Sequence, residues 1–207
     1  FYGHHKCATM WWNRIIANVC RKTGMNFRAV YDESGFDGDL ENLVNKHDVH
    51  FLSHGNADIS HIAGLPPHRG VHIIRDPRDI AVSAYFSHLH SHSVKEWSAL
   101  EEYREKLRGM SKEEGLAAEI ENRRAEFTQI RTYCYDQPDM LEIKFEEMTT
   151  SNYDLIINVF EHYQLLDTSR YRTRHRIKEL SFDVVDGIGG SVGRKLTRKL
   201  RPATISG

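Results

Sequence analysis

Cysteine is scarce in this chain of 207 residues. Cys7, Cys20 and Cys134 are odd in number and widely spaced, so neither a disulfide framework nor a C-x-x-C metal or redox motif can be read. A reducing compartment, the cytoplasm, is the expected location. Long apolar runs are missing too. No stretch approaches the ~20 apolar residues that span a bilayer, and the opening Phe1-Tyr2-Gly3 lacks the pattern of a signal peptide. No internal repeat or low-complexity linker divides the chain. With 40% hydrophobic and 28% charged residues, disorder and residence in lipid are both excluded. The expectation is a single domain over residues 1–207, incomplete at one or both ends because the chain opens without Met.

Net charge of one sign is almost absent, at −1 overall, yet it is unevenly distributed. Residues 170–207 hold ten Lys/Arg against Glu179, Asp183 and Asp186, which leaves the rest of the chain acidic. Such a run is commonly just solvated, although a basic end also suits polyanions. The only glycine-rich stretch, Gly187 to Gly193, reads as a loop.

Short β-branched or aromatic runs at Val49–Ser53, Val71–Ile74 and Met140–Lys144 are strand candidates, and Phe1-Tyr2 reads as the tail of another. Helical periodicity covers Thr9–Cys20, Pro77–Phe86, Glu113–Tyr135 and Tyr153–Tyr163. Alternating strands and helices imply an α/β fold with a central parallel sheet flanked by helices. Ligands in such sheets sit beyond the carboxyl ends of the strands.

After the first strand tail, Gly3 permits a tight turn and a helix begins near Ala8 or Thr9, which aims backbone N–H groups and the helix's positive end at one spot. Lys6 adds an ammonium there and Thr9 a hydroxyl. These parts suit a phosphate, although the Walker pattern is not met, and Lys6 on the surface with Thr9 as a helix cap is an equal reading. After Val71–Ile74, Asp76-Pro77 forces the chain from strand into helix, leaving Arg75 at the strand's carboxyl end and Ser83 on the helix. A guanidinium with a hydroxyl makes a second phosphate clamp; the alternative is Arg75 paired with a neighbouring carboxylate.

Lys6-Cys7-Ala8-Thr9-Met10-Trp11 resembles the phosphosulfate-binding loop K-[SC]-G-T-T-W of the sulfotransferase family, with Ala8 and Met10 departing from it. Arg75-Asp76-Pro77-Arg78-Asp79 through Ser83 is similar to that family's 3′-phosphate motif R-[ND]-P-[RK]-D-x-x-x-S at every specified position. The resemblance implies a nucleotide-binding fold of the P-loop type and the donor 3′-phosphoadenosine 5′-phosphosulfate (PAPS). It also implies transfer of a sulfuryl group to a hydroxyl- or amine-bearing acceptor, with adenosine 3′,5′-bisphosphate as product. No metal and no nucleic-acid partner are expected. Leu52-Ser53-His54 looks like the family's strand-end segment with its catalytic histidine, so His54 is the expected base and His61 its rival. Phe145 stands where the family has an adenine-contacting tyrosine, Trp11 resembles its stacking tryptophan, and Ser181-Phe182 weakly matches a further adenine contact.

The family's later R-K-G loop is not found, and the expectation is that such a segment lies beyond Gly207, with Arg194 and Lys195 as substitutes. His88, His90 and His92 suggest zinc, but their i, i+2, i+4 spacing does not suit one helix face and no Cys or carboxylate lies nearby in sequence. Two other classes remain open: a small-molecule kinase with a degenerate P-loop, and a non-catalytic module that binds polyanions through residues 170–201.

Overall fold

Five parallel strands form one sheet in the order β2-β3-β1-β4-β5: Tyr2–Gly3 (β1), Phe27–Val30 (β2), Phe51–Gly55 (β3), Gly70–Ile74 (β4) and Met140–Lys144 (β5). The computed structural model describes residues 1–62, 64–95, 97–150 and 152–165, apart from the side chains of Ile59, Thr149, Thr150, Asn152 and Tyr153. Ser181, Phe182, the glycine-rich stretch and the basic residues from Arg170 onward lie outside the described residues. The helices are Thr9–Thr23 (α1), Leu40–Lys46 (α2), Pro77–Phe86 (α3), Leu100–Arg108 (α4), Lys112–Asn122 (α5), Arg124–Thr132 (α6), Phe145–Thr150 (α7) and Asn152–His162 (α8). A π-helical turn at Ser87–Ser91 follows α3 directly.

Because all pairings are parallel, every connection is a crossover and the strands are covered. Val71, Ile73 and Ile143 are accordingly fully buried. Trp12, Ile15, Ile16, Val19 and Cys20 recur at helical spacing along α1 and enter the main core with Phe160 and Ile156 of α8. Each isoleucine so buried contributes about 1.5–3 kcal/mol. Gly24, at φ 75°, ends α1 by donating its N–H to the Cys20 carbonyl. Asp76 caps α3 through the Arg78 N–H and Pro77 occupies its first turn.

The α/β architecture expected from the sequence is present, and individual elements differ from expectation. The strand expected at Val49–Ser53 runs two residues later. Phe27–Val30 forms an edge strand that weak alternation did not reveal. The long helix expected over Glu113–Tyr135 breaks at Arg123, which adopts φ −101°, ψ 8°. Its guanidinium reaches Glu119 on one side of the break and Glu126 on the other.

The chain moves from β1 to β2 and β3 on one side, then crosses to β4 on the other. That reversal at β1 is where open α/β sheets form a ligand crevice.

Candidate active site

The loop after β1 is wound tightly enough to put two non-glycine residues in the left-handed region, Lys6 at φ 62° and Ala8 at φ 60°. Such a conformation costs a side-chain-bearing residue about 1–2 kcal/mol, which explains why glycine serves better at position 8. In exchange, the loop's N–H groups curl toward one point, and no side chain caps the start of α1. Two glycines make room for this approach. A Cβ on Gly3 would lie 2.9 Å from the Thr9 hydroxyl, and one on Gly55 would lie 2.9 Å from the Thr9 methyl.

Arg75 joins this loop directly. Its Nη1 donates to the Lys6 carbonyl at 3.0 Å, and its guanidinium lies 4.2 Å from the centre of the Phe145 ring. The charge of Arg75 is felt by the neighbouring Asp76 carboxylate, and the Arg75 Nε is buried without a partner. The ammonium of Lys6 is held below the usual lysine range by burial first, then by the charges of Arg75 and Arg123. Three cations therefore converge at the mouth of a helix that is itself positive.

A cleft of about 1270 Å³ opens here, large enough for a nucleotide together with a second substrate. Of the residues expected at the site, Lys6, Ala8, Thr9, Met10, Trp11 and Phe145 line it. Tyr31 and Asn56, beyond the ends of β2 and β3, join them, so several strand ends contribute to one cleft. Trp11 is half-buried and packs on the core while facing the cleft, so it serves both readings of that residue. Cys7 is fully buried beneath the loop, its Sγ against the His5 carbonyl, and its thiol is pushed up to about 12 chiefly by burial. Ser83 sits on α3 away from the lining.

His54 does not line the cleft either. It is 1% exposed, packed edge-on to Phe36 and stacked on His61, with neither ring nitrogen hydrogen-bonded. Its pKa falls to about 4, first through burial and then through His61. His61 lies on the same side, hydrogen-bonded to Glu33 at 3.1 Å. Neither histidine expected as a base is among the residues lining the cleft with Lys6.

Other histidines are. His4, His5, His88 and His92 line the cleft together with Trp97 and Arg123. His88 is fully buried and bonded through Nδ1 to Glu119, which also accepts from the Tyr103 hydroxyl and from Arg123. Glu126 accepts the His5 backbone N–H at 2.5 Å, tying α6 to the loop after β1. His4 bonds His72 at 2.8 Å, and His72 in turn bonds Glu142 at 2.7 Å. Residues on α5 and α6 thus complete a wall that local motifs gave no sign of.

No family model matches the chain, and no characterised protein matches it by sequence. Among solved structures it is similar to the mouse sulfotransferase SULT7A1 complexed with PAP, with a TM-score of 0.48 and 15% sequence identity. The similarity covers 92% of this chain and 66% of the mouse protein. This chain therefore spans less than two thirds of that protein's length. No helix among the described residues is long and apolar enough to cross a membrane.

Proposed function

We propose that this protein transfers a sulfuryl group from PAPS to a hydroxyl- or amine-bearing acceptor. The observation that carries the reading is the meeting of the two phosphate motifs: Arg75 donates to the Lys6 carbonyl, and its charge, with that of Arg123, acts on the Lys6 ammonium. Cations gathered over free helix N–H groups favour a dense anion.

In this reading the loop N–H groups and Thr9 hold the 5′-phosphosulfate, while Arg75 and Ser83 take the 3′-phosphate. Phe145 and Trp11 flank the adenine, with Ser181 and Phe182 proposed as further contacts. The acceptor oxygen or nitrogen forms a bond to sulfur as the bond from sulfur to the bridging phosphate oxygen breaks. Lys6 stabilises the charge left on that oxygen, and the acceptor's proton leaves toward solvent or a base. The products are the sulfated acceptor and adenosine 3′,5′-bisphosphate. A cytoplasmic setting agrees with three free cysteines, Cys134 among them exposed. A kinase would want a magnesium-binding hydroxyl after Lys6, and the buried Cys7 thiol supplies none.

Calorimetry with adenosine 3′,5′-bisphosphate tests the reading. Arg75→Ala should weaken binding by about 1.5–3 kcal/mol, the size of a lost charged hydrogen bond, or roughly 10- to 150-fold. Preference for ATP over the bisphosphate, or equal affinity in the variant, would overturn it.

A further inference from the structure

The histidine wall of the cleft has a ligand geometry of its own. His5, from the loop after β1, meets His88 and His92, from the π-helical turn after α3, with one ring nitrogen of each lying within 4.8 Å of the others. Widened helical winding explains how His88 and His92 share a side: the His92 N–H bonds the Ser87 carbonyl at 2.7 Å, an i to i+5 closure. His90, between them, is exposed and packs on Phe86 instead.

Hydrogen bonds fix which nitrogens are free. Glu119 accepts from the Tyr103 hydroxyl and from Arg123 Nε, so it serves as an acceptor throughout and takes the His88 Nδ1–H as well. The Ser93 carbonyl can only accept, so His92 Nδ1 also carries its proton, at 3.1 Å. Both rings are left with an Nε2 lone pair, and Nε2 of His5 is buried without any partner. Metal-binding histidines are characteristically held this way, with the far N–H donated to a carboxylate or a backbone carbonyl.

We infer that His5, His88 and His92 form a binding site for a divalent transition metal of the zinc class, with a fourth position open to the cleft. Neutral imidazoles suit zinc, and three of them with one free position is the pattern of sites that bind an exchangeable oxygen or nitrogen ligand. Ligand nitrogens on tetrahedral zinc lie about 3.4 Å apart, so the three rings must draw inward slightly. Arg123, whose Nη2 is 3.3 Å from His88 Nε2, must yield that contact, and its bonds to Glu119 and Glu126 offset its charge. A hydroxyl or amine bound at the open position would lose its proton to solvent more readily. That last role rests on the sulfuryl-transfer reading; metal binding does not.

The experiment is calorimetric titration of chelator-treated protein with zinc chloride, repeated with cobalt to record the visible spectrum of a tetrahedral site. Wild type should take one equivalent at micromolar affinity or tighter. His92→Ala, which alters a partly exposed ring, should weaken this at least 100-fold, whereas His90→Ala on the same turn should leave it unchanged. Absence of stoichiometric binding, retention of full affinity in His92→Ala, or equal loss in His90→Ala would overturn the site. Binding of adenosine 3′,5′-bisphosphate by metal-free protein reports the donor site separately, so each idea can fail without the other.

Discussion

Replacing His54 by phenylalanine separates a buried structural histidine from a catalytic one. The native ring is 1% exposed between Phe36, 5.6 Å away and edge-on, and the stacked ring of His61. Phenylalanine keeps the planar ring and removes a group that burial, and then His61, depresses to about 4. Near pH 7.5, both native and unfolded histidine are neutral and the group contributes nothing. As pH falls through ~6.5 the unfolded chain takes a proton that the native state refuses until about pH 4, so wild type loses stability across that window. At pH 5 the loss is ~1.36 kcal/mol for each of about 1.5 pH units, or roughly 2 kcal/mol. Urea unfolding at pH 7.5 and 5.0 should therefore show the difference between variant and wild type moving by about 2 kcal/mol in favour of the variant. The other buried histidines are common to both proteins and cancel. Parallel stabilities at the two pH values would refute the reasoning. Loss of sulfuryl transfer in a variant with normal bisphosphate affinity would return the role of base to His54.

Ala8→Gly should raise the melting temperature by about 1–4 °C, because relief of a left-handed alanine, ~1–2 kcal/mol, exceeds the entropy that glycine adds to the unfolded chain, ~0.5–1 kcal/mol. Scanning calorimetry decides this, and a lower melting temperature would contradict the strain. Lys6→Ala should reduce turnover roughly 10²- to 10³-fold with a smaller effect on donor affinity, since its charge acts on an oxygen whose charge grows in the transition state. Steady-state kinetics with PAPS would remove Lys6 from the mechanism if turnover were unchanged.

The loop after β1 and the corner after β4 were legible because their parts are contiguous in sequence. Asp76-Pro77 dictates a strand-to-helix corner with local steric force, and Gly3 through Trp11 carries turn, cation and helix start in one run. The reading of His54 shows where such reasoning stops. Its position at the carboxyl edge was right, since it pairs in register with Tyr2 beside the phosphate loop. Edge position describes backbone, however, and a parallel sheet is covered on both faces, so successive side chains enter the interior either way. Ser53 is fully buried against Asn13 of α1, and His54 is buried against Phe36.

The histidine wall of the cleft was illegible for the opposite reason. Its histidines were judged against α-helical spacing, under which His88 and His92 lack a third ligand and His90 interferes. The π turn removes His90 from the set, and the third ligand of the proposed site, His5, comes from a distant part of the sequence. Glu119 and Arg123 gave no signal because their roles depend on the break between α5 and α6, and that break makes sense only once Arg123 is seen joining both helices to the phosphate loop through Glu126. One tertiary network thus sets both sides of the cleft: the glutamate that anchors the loop carrying Lys6 also steadies the arginine beside His88. A change at Glu126 would consequently reach the loop carrying Lys6 and the histidine wall alike, although its carboxylate bonds neither Lys6 nor His88.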